Sequence, residues 1–153
     1  MKFTTWIVIA IVLVIGLGAV FLLLHKNVVP TKNTGTNTSA VVQPKPVYAA
    51  QGKLTENFPT SLIIGAKPNT QSSFSVNYSS SNQYTAVFDT TDSISAEYSS
   101  YMSYFQNNKY EVISHQNTSK IANLYAINID GDVSVQIVPS GKSSVVTVSY
   151  LKK

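Results

Sequence analysis

Ser73-Phe74-Ser75-Val76-Asn77-Tyr78, then Ser79-Ser80-Ser81-Asn82, then Gln83-Tyr84-Thr85-Ala86-Val87-Phe88-Asp89, is the stretch on which the fold of this 153-residue chain turns. Phe74, Val76 and Tyr78 alternate with polar residues, as do Tyr84, Ala86 and Phe88, and that is the period of strands buried on one side. The serine and asparagine run between them favours a turn, so the two segments form a hairpin. Thr90-Thr91-Asp92-Ser93 follows, residues suited to opening a helix. Ile94, Tyr98, Tyr101, Met102 and Phe105 then recur at helical spacing. Asn107-Asn108 supplies the stop, because Asn tolerates the left-handed conformation that ends many helices.

Alternation returns at Tyr110 to Ser114, Ile121 to Ile129, Val133 to Val138 and Val145 to Tyr150, which predicts four more strands. Asp130-Gly131 is a strong hairpin signal of the type I′ kind, and Pro139-Ser140-Gly141-Lys142 marks the next turn. The expected order is ββαββββ, an α+β domain. Short connections make its sheet mainly antiparallel, with one helix packed on one face and an open face or edge strand left over. Residues 58–153 suffice for one core and are too few for two.

Upstream, Phe3 to Leu24 contains no charged side chain. At about 1.5 Å of rise per residue, such a helix crosses the roughly 30 Å hydrocarbon core of a bilayer. The run exceeds the apolar core of a secretory signal peptide, and its small residues Gly16, Gly18 and Ala19 lie inside it, so an uncleaved transmembrane anchor is expected over residues 1–26. Trp6 falls where an aromatic sits at headgroup depth. A short basic head before the apolar run favours an inward amino terminus, which places the rest of the chain outside the cytoplasm as a single-pass cell-membrane protein. Residues 27–57 are rich in Thr, Asn, Ser, Pro and Lys, with Pro44-Lys45-Pro46 among them, and are expected to be a disordered linker. The chain has no cysteine, which excludes disulfides, thiolate metal sites and a lipid-bearing thiol.

The net charge of +4 belongs to the first part of the chain. Residues 1–57 hold five lysines against Glu56, whereas residues 58–153 hold six lysines against six acids. Arginine, the preferred side chain for bidentate phosphate and base contacts, is absent, so no nucleic-acid partner is expected.

With its elements placed, the carboxy-terminal segment resembles a family of small uncharacterised bacterial extracytoplasmic domains carried on single-span or lipid anchors. The carrying residues are Phe58-Pro59, Gly65-Ala66, Thr91-Asp92-Ser93, Tyr104-Phe105, Lys109-Tyr110, Ile129-Asp130-Gly131-Asp132 and Val145-Val146-Thr147-Val148. The chain departs from that pattern at Ile64, where a proline is usual, and at Lys109-Tyr110, where Gly-Trp is common. The resemblance implies an α+β domain and no particular activity. Lys2-Phe3-Thr4-Thr5 before a long apolar run is similar to the start of type IV pilins, but their processing glycine is missing and Ile7 stands in place of their glutamate.

Chemistry has few places to reside. A nucleophilic triad would have to be built on His115, since His25 lies at the membrane border, and a strand-end histidine beside Gln116-Asn117 lacks an evident nucleophile and orienting acid. Asp130 and Asp132 belong to a hairpin turn too short for a hard-cation loop, and Asp89 and Asp92 sit where helix caps sit. The Asn-x-Ser/Thr triplets at Asn37, Asn77 and Asn117 are expected by chance in so Asn-, Ser- and Thr-rich a chain. No catalytic residue, cofactor or metal is therefore assigned. Nine tyrosines are the best binding signal, because exposed aromatics beside Asn and Gln stack on sugars or grip proteins. Tyr84, Tyr104 and Tyr125 are the candidates. The expected function is a non-catalytic interaction domain, held to the lipid bilayer through residues 3–24, that binds an envelope protein or cell-wall polymer. Its alternatives are an envelope enzyme accessory with a small-molecule pocket near His115 or the tyrosines, and a pilin-like surface subunit.

Overall fold

The computed structural model describes residues 44–153; the expected membrane span, Trp6 and most of the linker lie outside the described residues. Seven strands form one sheet: β1 (Val47–Tyr48), β2 (Asn69–Asn77), β3 (Asn82–Thr90), β4 (Glu111–Asn117), β5 (Ala122–Ile127), β6 (Gly131–Ser140) and β7 (Ser143–Lys152). One α-helix, α1 (Ile94–Asn107), lies between β3 and β4 in the chain. The spatial order is β1-β2-β3-β7-β6-β5-β4, and every neighbouring pair is antiparallel. The six expected strands and the helix are all present, and the fold is α+β. Among the described residues, no helix is long and apolar enough to cross a membrane.

The chain makes the β2–β3 hairpin, then α1 carries it past the positions of β7, β6 and β5 to the far edge. From there β4 to β7 meander back, and the last strand slots between β6 and β3. Consecutive strands pair wherever a short turn joins them, and only the helix makes the long crossing.

Serine at the N-cap explains where α1 begins: Ser93 is extended, and its hydroxyl accepts from the Ala96 backbone N–H. The helix ends at Asn107 with Asn108 as its C-cap, where the asparagines place the stop, but the left-handed residue is the next one. Lys109, not Asn107 or Asn108, takes the left-handed conformation, at φ 59°. Tyr110 N donates to Phe105 O at 2.9 Å and Lys109 N to Gln106 O at 3.4 Å, the paired bonds of a Schellman stop. The Tyr110 and Phe105 rings, 5.4 Å apart, supply the apolar contact that accompanies such a stop.

The core lies between the sheet and α1. Phe88 from β3, Leu124 from β5, Val133, Val135 and Ile137 from β6, and Val146 and Val148 from β7 all face Tyr101 and Phe105 in one buried cluster. Each such large side chain contributes about 1.5–3 kcal/mol on burial. Segment 54–66, with a 3-10 turn at Thr60–Leu62, packs onto the same cluster through Leu54, Phe58 and Leu62. It is tied down where Tyr101 Oη donates to Leu62 O at 2.8 Å.

Two expectations are corrected. The ordered domain begins upstream of residue 58: Val47 and Tyr48 pair with Ser75 and Phe74, Ala49 N donates to Ser73 O, and Leu54 packs on the core. Polar composition pointed to a linker there, but β2 offers a free edge and the core an uncovered shoulder, and both are filled locally. The turn at Asp130-Gly131 is not type I′, since neither residue has positive φ. Instead the Asn128 side-chain oxygen accepts from both Asp130 N and Gly131 N, at 2.9 Å each. Gly131 serves close approach: a Cβ there would lie 2.5 Å from Leu151 O.

Candidate functional site

Because side chains alternate across a strand, the register assigns each residue to a face. On the face away from α1, the cross-strand neighbours Ser114, Tyr125, Ser134, Ser149 and Thr85 form one row that ends at Phe74 and Tyr48 on the β1–β2 side. The next row along the strands holds Gln116, Asn123, Gln136, Thr147, the buried Val87 and Ser72. No charged side chain stands in either row. The contrast with the helix side is plain, since β5 and β6 alternate buried residues facing α1 with exposed or half-buried ones facing away.

The amide row is linked. Asn123 Nδ2 donates to Gln116 Oε1 at 3.2 Å, and Gln136 Nε2 to Asn123 Oδ1 at 3.4 Å. In the row beside it, the Thr85 and Ser149 hydroxyls lie 2.9 Å apart. Tyr125 is 37% exposed and is flanked on neighbouring strands by Ser114 and Ser134, whose small side chains leave the ring unobstructed. Its hydroxyl donates to Asp132 Oδ2 at 3.3 Å, and Asp132 is held by Lys153 at 2.7 Å. Burial, then the Asp132 charge, raises the Tyr125 phenol above its ordinary range, so it stays a donor. At the far end of the row Tyr48 is 59% exposed and lies over Phe74, with ring centroids 5.3 Å apart.

The three candidate tyrosines are not brought together. Tyr125 stands on the open face. Tyr84 points the other way, into the core, where its ring stacks on Tyr150 at 6.5 Å. Tyr104 lies on α1, half-buried against Phe105 and Tyr110, with its hydroxyl 2.9 Å from Ser61 Oγ. Burial and then Tyr104 push the Tyr110 phenol up to about 12. His115 faces the helix side, its Nδ1 2.8 Å from the Tyr98 hydroxyl. A shallow concavity of about 500 Å³ at the start of α1 is lined by Ser93, Ser95, Asn117, Ser119 and Lys142 among others, away from His115 and the tyrosines. Among the described residues, no group of three or more His, Asp or Glu side chains could hold a metal ion.

Sequence reasoning missed two features. One is the amide row, which becomes visible only once the register is known. The other is Glu97, fully buried on α1, with neither carboxylate oxygen in a hydrogen bond. Its spacing from Ile94 and Tyr101 puts it on the helix's buried stripe, and that was the available signal. Burial raises its pKa, the Thr90 hydroxyl partly offsets this, and the nearby Asp92 raises it further. The carboxyl abuts the Gly65 backbone, and a Cβ at that position would come 2.0 Å from Oε1. Around it Ala66 N donates to Asp92 Oδ2 at 2.8 Å, while Ala66 O accepts from Thr91 N at 3.0 Å and from the Thr90 hydroxyl at 3.1 Å. Gly65-Ala66 and Thr91-Asp92-Ser93 thus form one joint.

Comparison of the chain with protein-family models, with curated proteins and with solved structures yields no match.

Proposed function

We propose that this chain is a single-pass membrane protein that presents a small, non-catalytic binding domain outside the cytoplasm, like the anchored extracytoplasmic domains it resembles. The observation that carries this reading is the pairing of an uncharged run, Phe3 to Leu24, with a domain whose sheet, among the described residues, carries its helix on one side. The run holds the bilayer, with Trp6 at the interface, and the residues after it give the domain reach. A partner is an envelope protein or a cell-wall polymer. Nucleic acid is disfavoured, because the sequence offers no arginine and the domain carries as many acids as lysines.

Two measurements on the full chain test the reading. After alkaline washing the protein is expected to stay with the membrane fraction, and protease added to intact cells is expected to digest the domain. Release by the wash, or full protection from the protease, overturns it.

A further inference from the structure

We propose that the sheet face turned away from α1 binds an uncharged glycan chain laid across the strands. The inference rests on the outward-facing reading above and names the partner's chemistry. Three observations converge on it. First, apart from Val87 the two rows contain hydroxyls, amides and aromatic rings and no charge, and the charge beside them, Asp132, is already paired with Lys153, so these rows offer no free charge to a phosphate, a carboxylate or an ammonium. A polyhydroxylated neutral chain complements it: side-chain amides present both donors and acceptors to vicinal hydroxyls, and an open tyrosine ring stacks on the apolar face of a sugar.

Second, the amides are tied to one another. Gln116, Asn123 and Gln136 are joined in sequence across β4, β5 and β6, which fixes their orientation before a ligand arrives. Preorganisation of this kind reduces the ordering cost of binding.

Third, the aromatics mark a direction. Tyr125 on β5 and Tyr48 on β1 stand in one cross-strand row with Ser134, Ser149, Thr85 and Phe74 between them, Thr85 and Phe74 being buried and the two tyrosines standing exposed at either end. At about 4.8 Å per strand, they are separated by roughly 24 Å, a span suited to several linked sugar units rather than one. The chain upstream supplies access. The residues between Leu24 and Pro44 extend to at most about 70 Å, enough to carry the face from a bilayer into surrounding wall polymer.

The test is retention of the detergent-solubilised full chain on insoluble cellulose and chitin, both neutral, with alginate beads as the anionic comparison. Binding to at least one neutral glycan is expected, unchanged between about 50 and about 500 mM salt, because no ion pair is involved. Tyr125→Ala is expected to weaken retention about tenfold and Tyr125→Phe to preserve it. Tyr78→Ala, in the turn after β2 and 44% exposed, serves as the control and leaves retention unchanged. Circular dichroism confirms that each variant is folded. No retention on either neutral glycan overturns the proposal. So do binding confined to alginate, loss of binding in salt, an unaffected Tyr125→Ala, or self-association through Tyr125 without glycan retention. Protection of the domain from protease in cells would defeat the outward-facing reading while leaving glycan retention by the purified protein intact, so the two failures are distinguishable.

Discussion

The two faces of the sheet are built from the same strands and do opposite work. On the helix side, β5 and β6 contribute Ala122, Leu124, Ala126, Val133, Val135 and Ile137, all buried beneath α1. On the other side, those strands contribute Asn123, Tyr125, Ser134 and Gln136, polar or aromatic and either exposed or half-buried. In these two strands the buried apolar side chains are on one face, which leaves the residues of the other less constrained by packing. Alternation along a strand is what makes that separation possible within six to ten residues.

The sharpest way to break the comparison is to empty the covered face. Phe88→Ala or Tyr101→Ala is expected to cost about 3–5 kcal/mol in denaturant unfolding. Tyr125→Ala and Gln136→Ala on the open face are expected to stay within about 0.5 kcal/mol of the parent. A comparable loss from either open-face variant would show that this face carries structure. Gly65→Ala comes next, at about 2–3 kcal/mol, because the added methyl meets Glu97 and Thr90 and the backbone there has φ 119°.

Glu97 tests the covered face through pH. Its folded-state pKa is raised above the ordinary 4.5, so between those values the folded protein binds more protons than the unfolded chain. Stability is therefore fully present below about pH 4.5 and falls as pH rises through the raised value. Glu97→Gln is expected to match the parent near pH 4 and to exceed it at neutral pH by about 1–2 kcal/mol, measured as melting temperature against pH. A constant difference across that range would show that Glu97 does not titrate in the folded state. Smallest of all, Lys109→Gly is expected to stabilise the domain by about 1 kcal/mol, since it relieves a side chain held at positive φ at the helix stop.

The covered face was largely legible in the sequence and the open face was not, for a physical reason. Periodicity shows which residues share a face, so Ile94, Tyr101 and Phe105 could be read as one stripe and the strands around them located. It does not show which face the helix will cover. Tyr84 and Tyr125 therefore looked alike, although one is buried on Tyr150 and the other exposed beside Ser134. The amide row depends on register among β4, β5 and β6, which is set by turns such as the one Asn128 closes with its side chain. Val47–Tyr48 escaped notice because a two-residue strand is too short to display alternation. Glu97 was hidden by its chemistry, since a carboxylate on an apolar stripe reads as solvated until packing shows otherwise.

The position of β7 carries a consequence for how the protein is made. These ten residues, Ser143–Lys152, are synthesised after every other strand of the sheet yet bridge β3 and β6, so until they leave the ribosome the nascent chain holds only separate partial sheets. Each has an unpaired edge, and the face beneath α1 is incomplete. Closure of the sheet thus waits for β7 to emerge, and up to that moment the polypeptide can still be threaded through a narrow pore. A premature stop that removes β7 would delete the seam joining the two halves, and the product would be left with two sticky edges.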